Sequence, residues 1–247
     1  MFANNNVLVV DAGNSNIKLT AFVGDEITTR RSVSDVNVTV LKGLQFFPRH
    51  ICFASVRDES KTKMILKNLK DFFGESLPIY TLSSLYTLYD LKNPYDDPNR
   101  LGVDRWLSVI AARSESLKPT VVVDAGTALK IEFLDDDGYT GGFITPGFKM
   151  MTNMLQENTG KINITEGRFE DQGPVIRNTE AAVFKGCWQM VLAFVDRIYR
   201  EHRERKFIFT GGYGSQIMDE LGIEAHYNQD LVAQGAKLMG DKLVMQK

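Results

Sequence analysis

Cysteine and histidine are scarce in this chain. Cys52 and Cys187 are the only thiols, and His50, His202 and His226 the only imidazoles, in 247 residues. Two cysteines cannot build a disulfide framework, and a reduced compartment is the simpler reading. The histidines have no metal-like spacing with one another or with the thiols, which argues against a His/Cys zinc centre. A Gly-x-Ser-x-Gly elbow and a Cys–His pair are both missing, which removes the usual hydrolase signatures. No Gly-x-x-x-x-Gly-Lys-Ser/Thr loop occurs either, so the chain is not a P-loop protein.

An excess of one charge and a long apolar run are also lacking. The 29 Lys and Arg against 31 Asp and Glu leave a formal charge of −2, with no cationic surplus to hold a nucleic-acid backbone. Nothing approaches the roughly 18 consecutive apolar residues of a membrane span. The start, Met1 to Asn6, carries neither the basic nor the apolar part of a signal peptide. The expectation is a cytoplasmic protein with no nucleic-acid or membrane partner. With 43% hydrophobic and 24% charged residues, the chain can bury the core of one large domain or two lobes.

What is present, and twice, is an acidic hairpin. Val9-Val10-Asp11-Ala12-Gly13-Asn14 precedes an alternating stretch through Lys18, and Val122-Val123-Asp124-Ala125-Gly126-Thr127 precedes another through Leu134. Each reads as a buried strand, a tight turn and a returning strand, so two related halves are expected. Strands are predicted at 7–10, 17–23, 27–33, 51–55, 121–124, 128–134, 139–144 and 207–210. Helices are predicted at 36–46, 59–73, 102–117, 148–155 and 180–205, after Gly212, and at 230–243. The stretch 91–100 reads as a loop, and Gly160–Pro174 as a polar surface loop. Lys118-Pro119 divides the chain into lobes 1–117 and 118–247. The alternation of strands and helices gives an α/β class.

An unpaired carboxylate at the end of an apolar strand is costly, and a divalent cation at Asp11 resolves that cost. Gly13 lets backbone N–H groups approach phosphate oxygens. Asn14 and Ser15 add donors, and Lys18 adds a point charge. A single copy is equally ordinary turn chemistry. The second copy, at Asp124, Gly126 and Thr127, shifts the balance toward a metal–phosphate site and a phosphotransferase. In Gly102-Val103-Asp104-Arg105, the acid is either a general base beside an anion-binding guanidinium or a helix-start carboxylate in a surface ion pair. The glycine-rich turns 141–147 and 210–214 either pack against a nucleotide or simply connect elements. The charged stretch around His202 reads as a solvated face, and Met150, Met151 and Met154 as core filler.

The ordered set Asp11-x-Gly-Asn-Ser-x-x-Lys18, Gly102-x-Asp-Arg105, Asp124-x-Gly-Thr-Ala128 and Gly141-Gly-x-Ile-x-Pro-Gly147 resembles the type III pantothenate kinases. That family belongs to the acetate and sugar kinase, Hsp70 and actin superfamily. The resemblance implies two similar lobes of the actin-like, ribonuclease H-like type around a central cleft. It implies ATP-dependent phosphorylation of pantothenate to 4'-phosphopantothenate, the first step toward coenzyme A. On this resemblance Asp11 helps hold Mg²⁺ or a similar divalent cation. Asn14, Ser15, Lys18, Gly126 and Thr127 meet the phosphates, and Gly211 and Gly212 the adenosine side. Asp104 is the base, Tyr95, Gly102, Arg105 and Thr179 contact pantothenate, and Asp124 holds a monovalent cation, K⁺ or NH₄⁺. The resemblance further implies a homodimer with the pantothenate pocket completed at the interface.

One departure stands out: the family usually has Thr and Asp where this chain has Lys130 and Glu132. Lys130 either enters the site and takes over part of the monovalent cation's role, or turns outward or pairs with Glu132 or Asp135–Asp137; the second is favoured. The alternatives to the pantothenate reading are a kinase of another small hydroxylated substrate and a catalytically silent nucleotide-binding regulator.

Overall fold

The computed structural model of the chain describes residues 6–160, 162 and 176–246. The first half runs β1 (Asn6–Ala12), β2 (Ile17–Val23), β3 (Glu26–Val33), α1 (Val38–Leu44), β4 (His50–Ser55), α2 (Glu59–Phe73), β5 (Ile79–Thr81) and α3 (Val103–Glu115). The second runs β6 (Thr120–Ala125), β7 (Ala128–Asp135), β8 (Gly138–Pro146), α4 (Phe148–Asn158), α5 (Thr179–Glu201), β9 (Lys206–Thr210), α6 (Gly214–Leu221), β10 (His226–Tyr227) and α7 (Leu231–Met245).

The strands form two five-stranded sheets built on one plan. The first has the order β3-β2-β1-β4-β5. The second, β10-β9-β6-β7-β8, repeats that order from the opposite edge. β1 pairs antiparallel with β2 and parallel with β4, and β6 pairs parallel with β9. The α/β class with two similarly built halves is therefore what this sequence adopts.

The chain separates into two compact units. One takes Met1–Leu117, Leu134–Gly141 and Asp230–Lys247, and the other Lys118–Phe133 and Gly142–Gln229. The second unit thus opens at Lys118, where the sequence divides into 1–117 and 118–247. The first also takes the β7–β8 turn and the C-terminal helix.

In the first unit β1 lies between β2 and β4, and Val7–Val10 are fully buried. A strand covered on both faces reads as a continuous apolar run, as this one does. The edge strand β3 is mostly exposed. α2 starts where the Asp58 side chain accepts from Lys61 N, ends at Gly74, and buries Ile65 and Leu69. α7 packs on α3, β1 and β4. Lys237 on α7 is buried, its ammonium 2.9 Å from Asp25 and 2.7 Å from Asp241. Burial pushes the Cys52 thiol up to about 12, which makes it an inert core group.

In the second unit β6 is buried along its whole length. Val191, Leu192, Val195 and Ile198 of α5 and Ile217 of α6 cover it. α5 stops at Glu201 rather than running to Arg205, because His202 turns its N–H back to Tyr199 O and Arg205 N bonds His202 O before β9 begins. His202 does not join a solvated face: its ring lies 5.0 Å from that of Phe133. Of the three methionines on α4 only Met151 packs on the core; Met150 and Met154 are exposed. β5 and β10 are absent from the sequence reading, since three- and two-residue strands carry no periodicity to detect. The loop expected at Gly160–Pro174 lies, apart from Gly160 and Ile162, outside the described residues. No helix among the described residues is long and apolar enough to cross a membrane.

Gly235 marks the close crossing of α7 on α3, because a Cβ there collides with the Leu107 backbone carbonyl. Gly43 on α1 has nothing within 4 Å of its missing Cβ. The same substitution should therefore act oppositely at the two sites. Gly235→Ala is expected to lower stability by about 2–3 kcal/mol through overpacking. Gly43→Ala is expected to raise it by about 0.5 kcal/mol through helix propensity. Urea denaturation midpoints of both variants check the signs.

Candidate functional site

In the first unit the β1–β2 hairpin presents the first acidic turn. Asp11 is half-buried at the end of β1, directly across from Lys18 on β2. Directly opposed residues of an antiparallel pair share a face, so the carboxylate and the amine stand on one side of the hairpin. Lys18, Asn14 and Ser15 are exposed, and the turn is open to a ligand. A residue the sequence reading missed steadies it: Arg57 Nε donates to Gly13 O at 2.6 Å. The parallel pairing of β4 with β1 brings Arg57 there, and a lone arginine after a strand gives no signal in sequence.

The Gly-x-Asp-Arg element forms the start of α3. Asp104 sits in the first turn, where the positive end of the helix favours a carboxylate. Its Oδ1 accepts from Arg105 N at 2.8 Å. Gly102 caps the helix without a side chain, and a Cβ there would come within 2.7 Å of Asp104 Oδ1. The carboxylate thus occupies the space that any other residue at 102 would fill. Asp104 is the helix-start carboxylate of the second reading, but Arg105, 4% exposed, is not a surface group. Its guanidinium donates to Tyr95 Oη at 2.5 Å and to Tyr139 Oη at 3.2 Å. Tyr139 is a second residue that sequence reasoning missed. Tyr95 itself belongs to a loop pinned by Asn93, whose side chain accepts from Tyr95 N and donates to Pro98 O. Pro94, Tyr95, Asp96, Asp97 and Arg100 line an open pocket of about 510 Å³. Tyr95, Gly102, Asp104 and Arg105 are therefore one constellation.

In the second unit Asp124 ends β6 and is buried. β6 and β9 run parallel, with Asp124 beside Thr210. Carboxyl ends of parallel strands are where ligands of open α/β sheets sit. The turns after both strands meet there. Gly211 has φ +83°, and a Cβ on it would lie 2.6 Å from Ala125 C and O. Tyr213 N bonds Ala125 O at 3.1 Å, and Gly147 N bonds Thr127 O at 3.1 Å. Gly126, Thr127, Gly147, Gly211 and Gly212 are thus brought together, with Thr127 and Gly212 exposed. Phe148, Trp188 and Tyr213 pack edge-on or tilted beneath these turns. The cavity they line with Gly126 and Gly147 is only about 10 Å³, room for at most one water. A nucleotide would lie on the open side. Thr179 is the exposed first residue of α5, where Asn178 caps by accepting from Ala181 N at 2.7 Å.

Of the directions favoured for Lys130, the outward one is not adopted. Its side chain is 15% exposed, and its Nζ lies 2.6 Å from Asp124 Oδ2. Strand alternation gives the period of side chains but not which face is covered, and packing supplies the missing half.

A family model described as type III pantothenate kinase matches residues 7–201. A type III pantothenate kinase from Marinomonas sp. is 38% identical over 249 aligned positions, covering 98% of this chain and 98% of that protein. A structure from Campylobacter jejuni, assigned to the Baf family of transcriptional activators, has TM-score 0.63 at 22% identity over 96% of this chain and 99% of its own. One from Sinorhizobium meliloti, assigned as a 2-dehydro-3-deoxygalactonokinase, has TM-score 0.57 at 12% identity, covering 96% of each chain. The two structures speak for the fold alone. With a family model matched over most of its length and a 38% identical relative aligned over 98% of it, the chain belongs to the type III pantothenate kinase family.

Proposed function

We propose that the protein transfers the γ-phosphoryl group of ATP to the primary hydroxyl of pantothenate, giving 4'-phosphopantothenate for coenzyme A synthesis. The observation that carries this is the 38% identity to a type III pantothenate kinase over nearly the whole chain. The site chemistry supports it.

In this reading Asp104 accepts the proton of the attacking hydroxyl, which requires an approach of about 2.6–3.2 Å, directly or through one water. The helix end that holds it favours a negative charge there and aims the carboxylate. Arg105 binds an anion, and its two tyrosyl partners favour the pantothenate carboxylate as that anion. They hold the guanidinium in place, which suits bidentate recognition. Tyr95 and Gly102 complete that side, and Thr179 is assigned to the same substrate. Asn14, Ser15, Lys18, Gly126 and Thr127 take the phosphate chain, and Gly211 and Gly212 the adenosine.

A divalent cation such as Mg²⁺ fits Asp11. No group of three or more His, Cys, Asp or Glu side chains that could hold a metal occurs among the described residues. Mg²⁺ characteristically takes one or two carboxylates, several waters and the substrate's own phosphates. Bound there, it neutralises charge on the triphosphate. Asp11 would then orient the triphosphate so that the γ-phosphorus faces the hydroxyl. A homodimer, with the pantothenate pocket completed at the interface, and a cytoplasmic location belong to the same reading.

The direct test is ADP release by the purified protein with ATP and Mg²⁺, with and without pantothenate. Pantothenate-dependent turnover supports the reaction. Turnover with another hydroxylated acid alone, or none with ATP still bound, overturns it. Asp104→Asn should keep the fold and the ATP affinity while lowering kcat by about 10²–10⁴-fold, because it removes the base without removing volume. Tyr95→Phe, which deletes one partner of Arg105, should raise KM for pantothenate by about tenfold with little change in kcat. Steady-state kinetics checks both. Sedimentation at assay concentrations should give a dimer, and a fully active monomer would remove the interface pocket.

A further inference from the structure

We infer that Lys130 is a built-in counter-ion of the phosphate site, so that this enzyme works without K⁺ or NH₄⁺. The inference rests on the kinase reading above and concerns how one of its two phosphate hairpins is held. The resemblance implies a monovalent cation at Asp124, and the residues present do not fit one. Asp124 Oδ2 is already taken by Lys130 Nζ at 2.6 Å, a contact as short as an ammonium can make with a carboxylate. An alkali ion would have to displace that ammonium, whose stem is largely covered, from a pair in which both partners are mostly buried.

The position is what gives this ion pair a role beyond stability. The other carboxylate oxygen, Asp124 Oδ1, lies 3.5 Å from where a Cβ on Gly126 would be. The pair therefore sits directly behind the Gly126-Thr127 turn, whose backbone closes on β7 through Gly126 N to Ala128 O at 3.1 Å. Lys130 also shares its face of β7 with Glu132, two residues on, which is 1% exposed. Asp124, Lys130 and Glu132 together carry one net negative formal charge. A neutral side chain at 130 would leave the buried Asp124 carboxylate without the ammonium that pairs with its Oδ2, and a cation recruited from solution would be needed to offset it. An ammonium tethered to the strand supplies that charge at every salt composition. It also adds a point charge beside the turn that takes phosphate. Lys130 is thus a positioning residue, acting through Asp124 and the turn.

The test measures ATP binding by calorimetry and pantothenate turnover by ADP release, for wild type and Lys130→Thr. Both are run at a fixed ionic strength of about 0.1 M with K⁺, NH₄⁺ or tetramethylammonium as the sole monovalent cation besides buffer. For wild type, ATP affinity and kcat should differ by less than about twofold among the three media. For Lys130→Thr both should fall about tenfold or more in tetramethylammonium and recover in K⁺ or NH₄⁺. A wild-type protein whose ATP affinity or turnover rises about tenfold with K⁺ overturns the inference. So does a Lys130→Thr protein indifferent to all three cations. If Lys130→Thr does not fold, the wild-type comparison decides alone. Absence of any pantothenate turnover would defeat the proposed reaction, while the ATP-binding arm would still decide the role of Lys130.

Discussion

A carboxylate at the end of a strand buried on both faces must find a positive partner, and much of this molecule is arranged around that need. β1 and β6 are the central strands of two sheets with the same order, and each ends in an aspartate followed by Ala-Gly. Burying such a group unpaired would cost several kcal/mol. The two halves meet the cost differently. Asp11 stays half-buried at an open turn with the exposed Lys18 across from it, a setting in which solvent, a cation and phosphates can share the work. Asp124 is buried, and its partner, Lys130, is covalently part of the returning strand. A repeated hairpin has therefore diverged in electrostatics while keeping its backbone plan.

The Arg105 site obeys the same constraint with the sign reversed. A guanidinium 4% exposed needs acceptors for its donors, and Tyr95 and Tyr139 provide two neutral ones. Those two hydroxyls hold the guanidinium at the start of α3, where the helix's own field is positive. Asp104 sits within that field, in the helix's first turn. The fixed direction of the carboxylate is then a property of the scaffold. The loop that carries Tyr95 becomes part of the site's electrostatics as well as its shape.

Much of this was legible in the sequence, and the gaps have identifiable causes. α2 falls at 59–73 as its periodicity predicts, because Asp58 and Gly74 are strong boundary signals and its buried face repeats at helical spacing. The hairpins at Asp11 and Asp124 were readable because turn chemistry and apolar strands are local. The return of α7 to the first unit was not, because it rests on a crossing between Gly235 and Leu107, a contact that no local pattern records. The site divides in the same way. Asp104, Arg105 and the glycine turns announce themselves by motif, whereas Arg57 and Tyr139 reach the site only through the pairing of strands and the packing of loops.

Lys130 shows why the second kind of information matters for mechanism. Period-two alternation places Lys130 and Glu132 on one face and leaves open whether that face is wet or dry. Once the face is dry, the outcome is constrained: a covered ammonium pairs with a carboxylate within reach, as Lys130 does with Asp124. Asp124 is buried, so a lysine at 130 that turned to solvent would take away the ammonium that pairs with its Oδ2. The inward direction of Lys130 thus follows from the burial of its neighbours more than from any preference of its own. A neutral residue at 130 would leave the Asp124 carboxylate in place without its ammonium, so a need for an external cation should track the charge at this position.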